Sequence, residues 1–186
     1  MTNRKQAAIA LILVLVIILA AILYAFFLHP AAQPSELEEM SLTSEDLGSA
    51  WTSRIAIIPD APPICDNWLK NESYNTDVYL IKYNDTSEAE HRYEKAYQQY
   101  NESGNWTFQI LGLNDTMEGA KFLCYQESHY GLVVELVFYR QNIWCQIDAD
   151  PITRIGKPWW IDTTTWIAQL QLDKVDQYLA QHPGAS

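Results

Sequence analysis

The sequence predicts an α+β protein held at a membrane. An N-terminal transmembrane helix leads into a mostly antiparallel sheet of five or six strands with two helices packed on one face. Three observations carry this reading. Residues 7–28 form an unbroken run of 22 without charge, Gly or Pro. Five or six later segments are short and rich in β-branched and aromatic residues, with turn residues between them. Two further segments, 85–100 and 163–181, repeat apolar residues at helical spacing.

As a helix, residues 7–28 span about 33 Å at ~1.5 Å per residue, against a hydrocarbon core of about 30 Å. Arg4 and Lys5 precede the run, and the nearest charges after it are Glu36, Glu38 and Glu39. Positive residues stay inside, so residues 1–6 are expected in the cytoplasm and residues 29–186 outside the cell membrane. Tyr24, Phe26 and Phe27 fall at the outer interface, where aromatic rings are favoured. The run exceeds the apolar core of a cleaved signal peptide, about 7–15 residues, and Ala31-Ala32 makes a poor cleavage site. A single-pass signal anchor is therefore expected.

Residues 29–186 carry all 23 acidic residues and 10 of the 12 basic ones, a net charge of −13. Such a surface repels a phosphate backbone, so no nucleic-acid partner is expected. Nine Asn occur, and five begin N-x-S/T sequons: Asn71, Asn84, Asn101, Asn105 and Asn114. The Ser and Thr content yields about one by chance. The excess points to a surface carrying N-glycans, and places those positions in loops or at element ends. Cys65, Cys124 and Cys145 all lie outside, where one disulfide is expected and one thiol is left over.

Residues 29–41 hold two prolines and three acids with no apolar period, and read as a spacer before a domain at 42–182. In residues 42–51, LTSEDLGSAW, Thr43 or Ser44 can cap one helical turn and Gly48 can end it. Leu47 and Trp51 then pin that turn to the core. The pattern L-T-x-x-D-L-G-x-x-W resembles the opening of small extracytoplasmic domains of bacterial surface lipoproteins and of membrane-kinase sensor regions. The resemblance covers about these ten residues. It implies a short turn, then a sheet with helices on it, and implies no reaction.

Residues 51–58 read as a strand stopped by Pro59. Residues 59–75, with Pro59, Pro62, Pro63, Cys65 and Trp68, read as a long loop needing a disulfide or the Trp to hold it. Residues 77–83 are the next strand. In 85–100, Ser87-x-x-Glu90 suggests a capping box, and Ala89, Tyr93, Ala96, Tyr97 and Tyr100 share one face. Strands follow at 106–111, 120–126, 132–140 and 143–148. A turn at Gln141-Asn142 sets Phe138 opposite Cys145 and Leu136 opposite Ile147, with the core on that side. A hairpin at 128–131 is expected to bring Phe122 and Cys124 to the same side. Cys124 and Cys145 then sit two strand spacings apart, about 10 Å, beyond the limit of roughly 7 Å for a disulfide. Cys65 is thus the expected member, bonded to Cys124 or Cys145. Residues 150–162 read as irregular, and a final helix runs to about residue 181 with a possible break near Leu172.

No catalytic or cofactor motif is present. His29, His91, His129 and His182 have no ligand-like spacing, so no zinc site is expected. Asp148, Asp150 and Asp162 lack the Gly and Glu positions of a calcium loop. There is no G-x-S-x-G and no phosphate-binding loop. The more suggestive residues are Trp68, Trp159 and Trp160, set in the two expected loops. Exposed paired aromatics bind proteins, sugars or a membrane surface, whereas a pair folded inward seals a small core. The sequence therefore favours a non-enzymatic binding, sensing or envelope-interaction module with a protein or carbohydrate partner. An extracytoplasmic hydrolase and a structural subunit of a membrane complex are the alternatives.

Overall fold

The computed structural model describes residues 34–109, 121–128, 131–151 and 157–183. The expected membrane span lies outside the described residues, among which no helix is long and apolar enough to cross a membrane. All described elements belong to one unit, spanning 31–186. In chain order they are α1 (Pro34–Met40), α2 (Ser44–Leu47), β1 (Thr52–Ile58), β2 (Ile64–Lys70), β3 (Tyr74–Lys82) and α3 (Thr86–Glu102). Then come β4 (Thr107–Gln109), β5 (Lys121–Ser128), β6 (Gly131–Arg140), β7 (Ile143–Pro151) and α4 (Lys157–Gln181). The strands make one sheet of seven, ordered β1-β2-β3-β7-β6-β5-β4, and each neighbouring pair is antiparallel.

The β6–β7 hairpin has the register expected from its turn: Leu136 opposes Ile147, Phe138 opposes Cys145 and Arg140 opposes Ile143. Gln141 takes the positive φ of 52° that the tight turn requires. Val134, Leu136, Phe138, Ile143, Cys145 and Ile147 are all fully buried. They form one core with Leu37 and Met40 of α1, Leu47 of α2, and Trp160, Ile167, Leu172 and Val175 of α4.

The alternate side chains build a second, smaller core. Ile81, Val137 and Trp144 point away from the first and meet Ala89 and Tyr93 of α3. The two long helices thus pack on opposite faces of the sheet, which corrects the expectation of two helices on one face. The reason lies in the central strands, whose second face is also apolar around Ile81, Val137 and Trp144 and gives α3 a seat there. Of the tyrosine stripe on α3, Tyr93 is buried and Tyr97 is 38% exposed. The N-cap of α3 is Asp85, whose carboxylate accepts from the Glu88 amide at 3.0 Å, and not Ser87.

The supposed loop at 59–75 contains the seventh strand, β2. Its inward residues are Cys65, Asn67 and Leu69, and the polar Asn67 hides the alternation. Asn67 is fully buried because its Nδ2 donates to the Leu42 carbonyl at 2.7 Å. The supposed spacer is also structured over 34–40. Leu37 and Met40, three apart, put α1 into the core, and Gln171 Nε2 donates to the Met40 carbonyl at its C-terminus. The expected turn at 44–47 is present, ended by Gly48 at φ 94°, with Leu47 and Trp51 each 8% exposed.

The disulfide expected for Cys65 does not form, and Cys65 and Cys145 are buried free thiols. Both oppose Leu80, from β2 and from β7. That places them two strand spacings apart, about 10 Å, outside disulfide reach. Cys124 is on β5, four strands from β2. It pairs with Glu135 and not with the even-numbered core residues of β6, because the ladder begins at Ser128 opposite Gly131. Cys65 Sγ lies 3.0 Å from Ser41 Oγ. Burial raises both thiols above the usual range, so neither is poised to react.

Burial also acts on tyrosines. It pushes Tyr93 up to about 12, with the neighbouring Tyr97 and Tyr139 adding to it. It pushes Tyr178 up to about 12 as well, where the Glu36 carboxylate adds to the effect. Both rings stay protonated in the fold while the unfolded chain ionises near pH ~10. Stability present below pH ~10 is therefore lost as pH rises toward 12. Thermal unfolding followed by circular dichroism from pH ~9 upward should show a falling midpoint in step with tyrosinate absorbance.

Candidate functional site

The aromatic site forms at the N-terminus of α4. Lys157 begins the helix and Pro158 follows in its first turn, where a missing N–H is harmless. The stretch expected to be irregular is therefore helical from residue 157. The helix also runs unbroken past Leu172, because tertiary burial of Gln171, Leu172 and Val175 outweighs weak propensity. Thr164 and Thr165 satisfy their hydroxyls on the carbonyls of Trp160 and Ile161 at 2.8 and 2.7 Å.

Helical geometry separates the tryptophan pair. Trp160 turns inward, 1% exposed, and stacks on Tyr74 with centroids 4.9 Å apart and planes 21° apart. Trp159 stays 37% exposed and packs nearly perpendicular to the Tyr74 ring, with centroids 6.0 Å apart. Tyr74 is locked by its hydroxyl, 2.6 Å from Thr164 Oγ1. Trp51 closes the group, 5.7 Å from Tyr74 and 6.1 Å from Trp166. Trp166 is the most exposed of these rings, at 42%, and the sequence reading passed over it. Its spacing of seven from Trp159 was the available signal, placing the two rings on one helix side about 10 Å apart.

This aromatic end lies away from the first turn of α1. Glu36 of α1 pairs with Lys82 at 3.4 Å and contacts Tyr178, near the other end of α4. From Trp166 to Tyr178 is about 18 Å along the helix axis, at ~1.5 Å per residue.

Trp68 does not join Trp159 and Trp160. It alternates with buried Asn67 and Leu69, so it faces the α3 side of the sheet, with Lys70 Nζ 5.5 Å over its ring. On that side one row across the sheet reads Arg54, Trp68, Asp77, Asp148 and Glu135. Like charges opposed on neighbouring strands are unfavourable. Gln146 Nε2 offsets part of this, donating to Asp148 Oδ1 at 2.7 Å and to Glu135 Oε2 at 3.3 Å. Asp148 and the exposed Asp162 of α4 are on opposite faces of the sheet and share no site. Among the described residues no group of three or more acidic, His or Cys side chains is placed to hold a metal ion.

His91 is exposed on α3, and His182 stacks on Tyr178 with centroids 4.3 Å apart. His29 and His129 lie outside the described residues. Of the sequons, Asn84, Asn101 and Asn105 are exposed around α3. Asn71 is half-buried, its Oδ1 accepting from the amides of Ser73 and Tyr74, both at 2.8 Å. Asn114 is outside the described residues. No protein-family model, curated protein or solved structure matches this chain.

Proposed function

We propose that the chain is a single-pass membrane protein whose extracytoplasmic domain is a non-enzymatic binding or sensing module, and that its partner docks on Trp159 and Trp166. One observation carries this reading. Two large aromatic rings stay more than a third exposed while three others hold them from behind. Rigid, preorganised aromatics are what protein and carbohydrate partners use as anchors. The uncharged run at 7–28 supports the membrane tether, and the exposed Asn84, Asn101 and Asn105 support a glycosylated outer surface.

The test uses the full chain in its own membrane, with a photo-cross-linking residue at position 166 or, as control, at Lys95 on the opposite face. Position 166 is expected to give a saturable adduct that Trp159→Ala weakens at least about tenfold, the scale of one hot-spot residue. Identical products from both positions would sink the proposal. A second reading, hydrolysis, draws on the carboxylate row of Asp77, Asp148 and Glu135. It requires turnover of an ester, peptide or glycoside substrate that Asp148→Asn abolishes.

A further inference from the structure

β1 is one edge of the sheet, and among the described residues only β2 pairs with it. A seven-residue edge offers a row of backbone donors and acceptors to another strand. Edges that stay unpaired are usually blunted by several charges or by proline. Here the sequence is TSRIAII, with Arg54 as its one charge and Pro59 just beyond it. No acidic residue occurs from Trp51 to Pro59, although residues 29–186 carry a net charge of −13. No sequon begins between 51 and 70.

A second observation sits beside this edge. Asp66 of β2 is the cross-strand neighbour of Ala56, and its Oδ1 is buried with no hydrogen-bond partner. Burial lifts its carboxyl above the usual range. Arg54 is exposed and forms no ion pair among the described residues.

We propose that two copies of this chain pair antiparallel through β1, about a two-fold axis at Ile55, so that Arg54 of the partner subunit reaches across Ala56 to Asp66. Directly opposed residues in an antiparallel pair share a face, so the axis must pass through a residue and not between two. Only an axis at Ile55 matches all seven residues, Thr52 with Ile58 of the partner subunit and Arg54 with Ala56 of the partner subunit. An axis at Arg54 would oppose two guanidiniums. In the chosen register the backbones of Asp66 and of Arg54 of the partner subunit are two strand spacings apart, about 10 Å, with only the Ala56 methyl between. An extended arginine and an aspartate cover that distance. Because the contact is isologous it forms twice, and it joins the two sheets into one. The acid-free edge is also where two acid-rich domains can meet without opposing carboxylates.

The test uses the full chain in detergent micelles. Two differently tagged versions carry Arg54→Cys and Ala56→Cys and are mixed and oxidised. Directly opposed Cβ atoms lie about 4.5–5.5 Å apart, whereas diagonal neighbours are about 7–8 Å apart. The mixed disulfide is therefore expected to exceed either same-residue disulfide about tenfold. In sedimentation, Arg54→Glu is expected to weaken the dimer at least about tenfold, and adding Asp66→Arg to restore it. A monomer at every concentration overturns the proposal, even if it captures a strand of another protein. So does a predominance of same-residue disulfides, or a dimer indifferent to Arg54→Glu.

Discussion

Trp160→Ala is expected to lower the unfolding free energy by about 3–5 kcal/mol, the usual range for deleting a fully buried aromatic. The neighbouring Trp159→Ala is expected to lower it by under about 1 kcal/mol. Trp160 is 1% exposed and fills the space between α4 and Tyr74, so alanine leaves a cavity the size of an indole. Tyr74 also loses its stacking partner, while its hydroxyl stays tied to Thr164 on the same helix. Trp159 gives up an edge contact and much solvent-exposed surface. Urea unfolding of the two variants decides the matter. Equal losses would mean that the pair is not divided between core and surface, and the case for Trp159 as a binding residue would fall with it.

Leu37→Ala is expected to cost about 2–5 kcal/mol. A residue in a solvated spacer would cost less than about 0.5 kcal/mol. Leu37 is fully buried, and its carbonyl accepts from Ser41 Oγ at 2.8 Å, the same hydroxyl that contacts Cys65. Loosening α1 should therefore unmask a thiol as well as lower stability. In the native protein Cys65 and Cys145 should resist a thiol reagent, since both are buried with raised pKa values. In Leu37→Ala, Cys65 should label faster while Cys145, deeper in the sheet, stays protected. Labelling of both at equal rates would indicate global opening rather than release of α1.

Much of the sheet was legible because its signals are local. The β6–β7 register follows from the two-residue turn and from apolar residues recurring every second position. The short turn at 44–47 follows from its capping residues and Gly48. β2 was missed because Asp66 and Asn67 interrupt its apolar alternation, and Asn67 is tolerated inside only because it holds the Leu42 carbonyl. α1 was missed because a seven-residue helix with three acids has no stability of its own; Leu37 and Met40 acquire a core only once β2 and α4 are in place.

By itself the sequence determined the candidate membrane span, the acidic composition of residues 29–186, the α+β class, and the pairing of the most apolar strands. These are sums over composition or patterns within one hairpin, and need no knowledge of distant neighbours. Tertiary structure decided which side of the sheet each helix takes, since each face carries an apolar cluster that accepts a helix. It decided that Cys65 and Cys145 stay apart, because strand order sets their separation. It also decided that Trp160 is core while Trp159 and Trp166 face water, because the phase of α4 against the sheet is fixed by packing along its whole length.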